Sequence, residues 1–155
     1  MSDSQRDTEN HIHKVRDNLY MIEANLSRRA NVHDASKLEE PELSGYEGLS
    51  QALRGLTYGT PEHRAAFAPF KEIIQHHYAN NSHHPEYWRN GIDDMSLLDI
   101  MEMIADWRAA NDRSGGDFYQ SIDVSARRFG IDEQLARILL NTAVELGWIA
   151  RRDDA

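Results

Sequence analysis

The sequence contains no cysteine, and its 155 residues include only 17 lysine and arginine residues against 26 aspartate and glutamate residues. The absence of cysteine excludes disulfide bonds and thiolate metal sites, so any bound metal must take nitrogen and oxygen ligands. The net charge of −9 leaves no basic stripe to neutralise a nucleic-acid backbone, which disfavours general nucleic-acid binding. Small phosphorylated molecules remain compatible with this charge, because a bound cation can reverse the local field.

Long apolar segments are absent as well. No apolar run approaches the roughly 20 residues that cross a membrane, and the polar N-terminus has no apolar signal core. These features predict a cytoplasmic protein without a membrane partner. The length corresponds to one domain, and we expect a folded domain at residues 9–149 between flexible ends at residues 1–8 and 150–155.

The spacing of apolar residues predicts helices along the chain and no strands. The predicted helices span approximately residues 9–29, 41–54, 61–78, 95–110, 118–129 and 132–146. Gly130 is a typical helix stop and Asp132 a typical helix cap. The sequence therefore predicts an all-α, single-domain helical bundle. Trp148 and Ile149 are predicted to be exposed near the C-terminus, which indicates a packing partner and hence a homo-oligomer.

The adjacent pair His33-Asp34 places an imidazole nitrogen and a carboxylate oxygen side by side. Both are ligands for divalent transition metals, and Lys37 offers a positive charge to a phosphate near such a metal. On the first predicted helix, His11 lies on the apolar stripe and is expected to face inward. The alternative for His11 is a core histidine with one hydrogen-bond partner. The dipeptide alone is weak evidence, so the prediction of a metal site depends on ligands from other segments.

Four of the eight histidines lie between residues 76 and 84, and two aromatic residues follow them closely. His77 falls on the apolar face of its predicted helix, with His76 at the margin of that face. His83 and His84 lie in a segment that asparagine, serine and proline mark as a loop. This concentration of imidazole groups indicates a metal or phosphate site, and a hydrogen-bonded structural cluster is the alternative. Which of the four histidines are ligands is left open.

The most hydrophobic predicted helix carries Asp99, Glu102 and Asp106 at steps of three and four residues. This spacing puts the three carboxylates along one face of the helix. Since burying an unpaired carboxylate is costly, that face should meet cations, histidines or a metal. A partly exposed acidic edge is the alternative. Among the acids that precede this helix, Glu42 is the one placed to reach the site.

Histidine and carboxylate ligands that come from different helices are typical of a metal site buried in a bundle. The pattern resembles the HD-domain metal-dependent phosphohydrolases, a superfamily of helical bundles. By this resemblance, the superfamily's metal ligands would be His11, His33, Asp34 and Asp106. The extra ligands of its two-metal members would be His77 with His83 or His84. The implied cofactor is one or two divalent ions of manganese, iron, cobalt, nickel or zinc.

A closer resemblance links residues 11–142 to a family of short bacterial and phage proteins of unknown function. The strings that carry it are VHDASKL at 32–38, YGT at 58–60, HHYAN at 76–80, HHPE at 83–86 and DWRAA at 106–110. This second resemblance brings no established activity with it.

Together these features predict metal-assisted hydrolysis of a phosphate ester, with a nucleotide as the expected substrate. The metal would lower the pKa of bound water and polarise the phosphoryl oxygen. The expected catalytic residues are Lys37, Asp34 and Glu102, the last as the acid that handles the proton. The expected substrate contacts are Lys37, Arg108, Tyr87 and Trp88. The alternatives are a di-iron oxygenase of the HD type and a protein that binds a metal or nucleotide without turnover.

Overall fold

A computed structural model describes residues 2–57 and 60–152 of the chain. Over these ranges the structure is all-helical, as predicted, and has no strand. The chain divides into two compact units, of which the first ends at His33 and the second begins at Asp34. Tyr58 and Gly59, which belong to one of the motif strings, lie outside the described residues. In the described ranges, no helix combines the length and the apolar character needed to cross a membrane.

The first unit contains helix α1, Asp3–Val32. It starts before the predicted residue 9, because Ser2 and Gln5 form reciprocal hydrogen bonds between side chain and backbone N–H that cap the helix. Residues 3–8, which were expected to form a flexible leader, are therefore helical. A single helix has no core of its own, and α1 has no buried residue. The prediction that His11 faces inward is thus not confirmed, since its side chain is exposed.

The second unit contains six α-helices in its described residues. They are α2 (Glu42–Leu53), α3 (Pro61–Ala65), α4 (Lys71–Asn80), α5 (Leu97–Ser114), α6 (Phe118–Phe129) and α7 (Glu133–Glu145). Short 3-10 turns lie at Ala35–Leu38, Ala68–Phe70, Pro85–Tyr87 and Gly91–Asp94. The predicted ends of α6 and α7 are confirmed: Gly130 takes the left-handed conformation after α6, and the Asp132 side chain accepts a hydrogen bond from the backbone of Leu135.

The prediction of one continuous helix over residues 61–78 is wrong. α3 ends at Ala65 and α4 begins at Lys71, with a 3-10 turn between them. Pro69 lies in that turn, and it cannot donate the backbone hydrogen bond that a continuous helix requires. The predicted start is confirmed, since the Thr60 side chain accepts a hydrogen bond from the backbone N–H of His63. The break leaves the two adjacent histidines on a separate helix, α4.

The apolar core of the second unit lies between α5, α6 and α7. It consists of Ile100, Met103, Ile104, Phe118, Ile122, Leu139 and Ala143. Trp148 and Ile149 pack against this core and are half-buried, so the prediction that they are exposed is wrong. The chain turns back onto its own core after α7, which removes this reason to expect a homo-oligomer.

Candidate metal centre

Four side chains of the second unit bring potential metal ligands to one point. These residues, the ligand group, are Asp34, His77, His83 and His84, and one ligand atom of each lies within 4.8 Å of the others. Asp34 Oδ1 is 3.3 Å from His77 Nε2 and 3.4 Å from His83 Nε2. His84 Nε2 is 2.9 Å from His77 Nε2. Ligands at about 2.1 Å from an ion are about 3.0–3.5 Å apart in octahedral or tetrahedral geometry, so the group could hold a metal ion.

The backbone at Asp34 determines where its carboxylate lies. Asp34 has φ 55° and ψ 17°, the left-handed region that aspartate tolerates better than most residues. The following turn, Ala35–Leu38, carries Lys37, whose Nζ lies 2.6 Å from Asp34 Oδ2. The Lys37 ammonium also lies 5.0 Å from the centre of the Tyr46 ring. The predicted neighbours Asp34 and Lys37 therefore form one ion pair beside the three histidines.

Glu42, the first residue of α2, is completely buried behind His77. Its Oε2 lies 2.9 Å from His77 Nδ1 and accepts a 2.9 Å hydrogen bond from the Ser36 hydroxyl, while its Oε1 lies 2.8 Å from His76 Nδ1. Since an ionised carboxylate only accepts hydrogen bonds, this contact calls for a proton on His77 Nδ1. The Asn81 amide nitrogen, 3.0 Å from the same Nδ1, donates instead to Ser36 Oγ and the His77 carbonyl. This arrangement turns His77 Nε2 toward Asp34. A histidine that donates its other N–H to a carboxylate is the usual form of a metal ligand.

Glu102, on α5, stands in the same relation to His83. Its Oε1 lies 3.2 Å from His83 Nδ1, while His83 Nε2 faces Asp34. With one proton on each ring, the Nε2 lone pairs of His77 and His83 would both face the Asp34 carboxylate. Such a contact needs positive charge between the groups, supplied either by a second proton on each ring or by one metal ion.

The pKa values of the two carboxylates follow from these contacts. Burial opposes ionisation of Asp34, but its contacts with His77, His83 and Lys37 hold the pKa of its carboxyl far below the usual range. Burial likewise opposes ionisation of Glu42, and the hydrogen bonds from two histidines and a serine lower its pKa below the usual value. Both groups are therefore negatively charged at neutral pH, as a metal site requires.

At His84, in contrast to the two carboxylates, the surroundings favour the uncharged form. Burial, together with the neighbouring His83 and His77, lowers the pKa of His84 to about 3, and the charges of Asp106 and Asp34 oppose this shift only in part. The ring is therefore neutral at physiological pH. A neutral imidazole is the form that binds a metal, so His84 is ready to act as a ligand without losing a proton first.

Two glycines allow α2 to approach α4 closely enough for Glu42 to reach the histidines. A Cβ atom at Gly45 would lie 2.6 Å from the Ile73 side chain, and one at Gly48 would lie 2.9 Å from Phe70. Both distances are shorter than real Cβ contacts. Residues 42, 45 and 48 share one face of α2 because they are three residues apart. The glycine spacing was the sequence signal for this contact, and sequence reasoning missed it.

The predicted acidic face of α5 is only partly confirmed. Glu102 meets a histidine, as expected. Asp99 is buried, but it serves as part of the helix cap, since it exchanges hydrogen bonds with Ser96 and accepts one of 2.7 Å from Ser82. Asp106 is half-buried and acts on His84 through its charge. Its role as a direct metal ligand stays a prediction.

The two aromatic residues that were predicted to bind a base have different surroundings. Trp88 is half-buried, and its Nε1 donates a 2.8 Å hydrogen bond to the Ser82 carbonyl, which gives it a structural role. Tyr87 is 44% exposed and lines a groove of about 990 Å³ together with Tyr78. The Tyr78 ring centre lies 4.8 Å from that of His84. The groove therefore adjoins the ligand group on the side of His84.

Three further predicted residues, Arg108, His33 and His11, also lie outside the ligand group. Arg108 pairs with Asp112 at 2.6 Å and donates a 2.8 Å hydrogen bond to the Trp148 carbonyl, which ties the C-terminal segment to α5. Its predicted contact with phosphate stays a prediction. His33 is the residue that caps the C-terminal end of α1, and His11 lies within that helix. Both belong to the first unit, and their predicted roles as metal ligands stay predictions.

Comparison with known proteins gives a family but no activity. A protein-family model described as a family of unknown function, DUF5662, matches residues 1–145. The match covers most of the chain, so the protein belongs to this family. No curated protein and no solved structure matches the chain. A function must therefore be inferred from the ligand group itself.

Proposed function

We propose that the protein is a metal-dependent phosphohydrolase that acts on a small phosphorylated molecule, in particular a nucleotide. The observation that supports this proposal is the convergence of Asp34, His77, His83 and His84, with a carboxylate behind two of the histidines. Three imidazole nitrogens and one carboxylate oxygen suit manganese, iron, cobalt, nickel or zinc better than magnesium or calcium. The group would hold one ion. A second ion would need the further ligands predicted at His11, His33 and Asp106.

The roles of the surrounding residues follow from their positions. A bound ion would lower the pKa of a water molecule and polarise a phosphoryl oxygen. Lys37 lies beside Asp34 and would contribute positive charge to the substrate phosphate. Glu102 contacts His83 Nδ1, and we propose that its carboxylate acts as the general base for the attacking water.

The groove next to His84 would hold the remainder of the substrate. Tyr78 and Tyr87 supply aromatic surface, and Lys71 supplies a positive charge in the same lining. A planar base that carries phosphate matches this combination. Stacking on an aromatic side chain contributes about 1–3 kcal/mol per base. We therefore place the base of the nucleotide against Tyr87.

The test is an assay of phosphate release from a panel of nucleotides by protein loaded with manganese, cobalt, iron or zinc. Asp34→Asn is the informative variant, because asparagine has the same size and also tolerates the left-handed backbone. We expect it to lose activity by at least about 100-fold through the loss of the metal ligand. Tyr87→Ala should raise KM by roughly 5- to 150-fold, the equivalent of the stacking energy, with a smaller effect on kcat.

Each alternative has a distinct outcome in the same experiment. The absence of phosphate release from every phosphoester, by protein that contains metal, would overturn the proposal. Iron in the purified protein together with oxygen uptake would instead identify an oxygenase. Metal and nucleotide binding without turnover would identify a binding protein.

A further inference from the structure

We infer that Glu42 is the positioning residue of the candidate metal centre, acting through His77 and through the turn that carries Asp34. This inference rests on the proposed metal site. Glu42 is 0% exposed, so it has no surface with which to touch a substrate. Its effect on any reaction must therefore pass through the groups that it contacts.

Both oxygens of Glu42 are held by side-chain partners. Oε1 meets His76 Nδ1 at 2.8 Å, and Oε2 meets His77 Nδ1 and the Ser36 hydroxyl, each at 2.9 Å. The Ser36 oxygen in turn accepts a 2.9 Å hydrogen bond from Asn81. Hydrogen bonds to an ionised carboxylate are roughly twice as strong as neutral ones. The network therefore holds its members in one arrangement.

This network reaches two members of the ligand group at once. Ser36 lies two residues after Asp34, on the 3-10 turn Ala35–Leu38, so its bond to Glu42 holds the segment that positions the Asp34 carboxylate. The bond to His77 Nδ1 directs the opposite nitrogen, Nε2, to the metal position. One buried carboxylate thereby orients the His77 ring and the turn Ala35–Leu38, which are distant in sequence.

Replacement of Glu42 by glutamine should disturb the His77 ring in a specific way. An amide has one acceptor oxygen for the three donors that Glu42 now accepts, and its NH₂ group must donate in place of the second oxygen. When the NH₂ group faces His77, its donation to Nδ1 favours the tautomer with the proton on Nε2, which has no lone pair for a metal there. When the amide oxygen faces His77, a neutral acceptor replaces a charged one and holds the ring less strongly. We expect zinc affinity to fall by about 10- to 100-fold, the usual range for such outer partners.

The experiment compares zinc titrations of the wild type, Glu42→Gln and Asp99→Asn by calorimetry. Asp99 is a matched control, because it is a similarly buried acid (2% exposed) whose partners include the hydroxyls of Ser82 and Ser96. Asp99→Asn should lose stability but keep its zinc affinity within about threefold of the wild-type value. An unchanged zinc affinity in folded Glu42→Gln would overturn the inference.

A second measurement does not depend on any variant. Long-range ¹⁵N–¹H correlation spectra of the metal-free wild type report which nitrogen of His77 carries a proton. We expect a proton on Nδ1, and a proton on Nε2 alone would overturn the inference. If Glu42→Gln does not fold, the wild-type spectrum decides the question. If the wild type binds no metal, the proposed function fails, whereas the proton position still tests the role of Glu42.

Discussion

The apolar core and the ligand group are two buried regions of the second unit with opposite requirements. Met103 in the core and His77 in the ligand group are each 1% exposed. Close packing and the removal of apolar area from water stabilise the core. The ligand group instead needs a partner for each polar atom, because a buried polar atom without one costs about 1–3 kcal/mol. The core therefore supplies stability, while the ligand group brings polar side chains together at a cost in stability.

Helix α5 connects the two regions. Its residues Ile100, Met103 and Ile104 lie in the apolar core, and Glu102 contacts His83 of the ligand group. Alternate faces of one helix thus serve packing and ligand orientation. The contrast between the regions predicts that substitutions in the core change the free energy of unfolding, whereas substitutions in the ligand group change metal binding.

The largest expected change in stability comes from Met103→Ala. Met103 is 1% exposed in the core, and such truncations reduce the free energy of unfolding by about 2–5 kcal/mol. Met101→Ala is the matched control, since Met101 lies on the same helix but is 43% exposed, and its effect should stay below about 0.5 kcal/mol. Urea unfolding measures both. Equal losses for the two variants would contradict the assignment of the core.

Zinc should stabilise the wild type and Met103→Ala alike, because the core does not contribute ligands. At a free zinc concentration 100 times Kd, the gain is about 2.7 kcal/mol. His77→Ala should show almost none of this gain. His63→Ala is its control, since His63 lies on α3 and is not a member of the ligand group. Thermal unfolding with and without zinc measures the gain, and a full gain retained in His77→Ala would remove His77 from the metal site.

Gly45→Ala tests whether the approach of α2 to α4 maintains the ligand group. The added Cβ would lie 2.6 Å from the Ile73 side chain, and such overpacking costs about 1–3 kcal/mol. Because Glu42 lies on the same face of α2, zinc affinity should also fall. Ser50→Ala, at an exposed position of α2, should change neither property by more than about 0.5 kcal/mol. Chemical unfolding and zinc titration of the two variants provide the comparison.

A dependence of metal-free stability on pH is expected from His84. Its pKa is lowered to about 3 in the folded protein, below the usual histidine value of about 6.5. The unfolded chain therefore binds a proton at this residue first, so stability is fully present above about pH 6.5 and declines as the pH falls toward 3. The decline reflects up to one additional proton bound by the unfolded chain. His84→Gln should remove this contribution to the slope of the free energy of unfolding against pH. Identical slopes for both proteins, from unfolding at several pH values, would contradict a neutral buried His84.

Local signals were sufficient for much of the helical structure. The limits of α6 and α7 were predictable because Gly130 and Asp132 act within one turn of the helix ends that they define. The interruption at Pro69 was also a local signal, although the apolar periodicity around it favoured one long helix. The early start of α1 depends on the Ser2 cap. It was not predicted because the polar composition of residues 1–8 favoured a flexible leader. These errors concern helix ends and leave the all-α class unchanged.

The sequence by itself determined the helical class, the absence of thiolate ligands and the residues from which a metal site could be chosen, because composition and helical period act locally. Which of the four neighbouring histidines come together was decided only by the tertiary structure. His77, His83 and His84 meet at Asp34, while His76 lies on the outer side of Glu42. The central position of Glu42 likewise depends on the approach of α2 to α4 at Gly45. Contacts between residues more than 30 positions apart require the packed helices, and no local pattern specifies them.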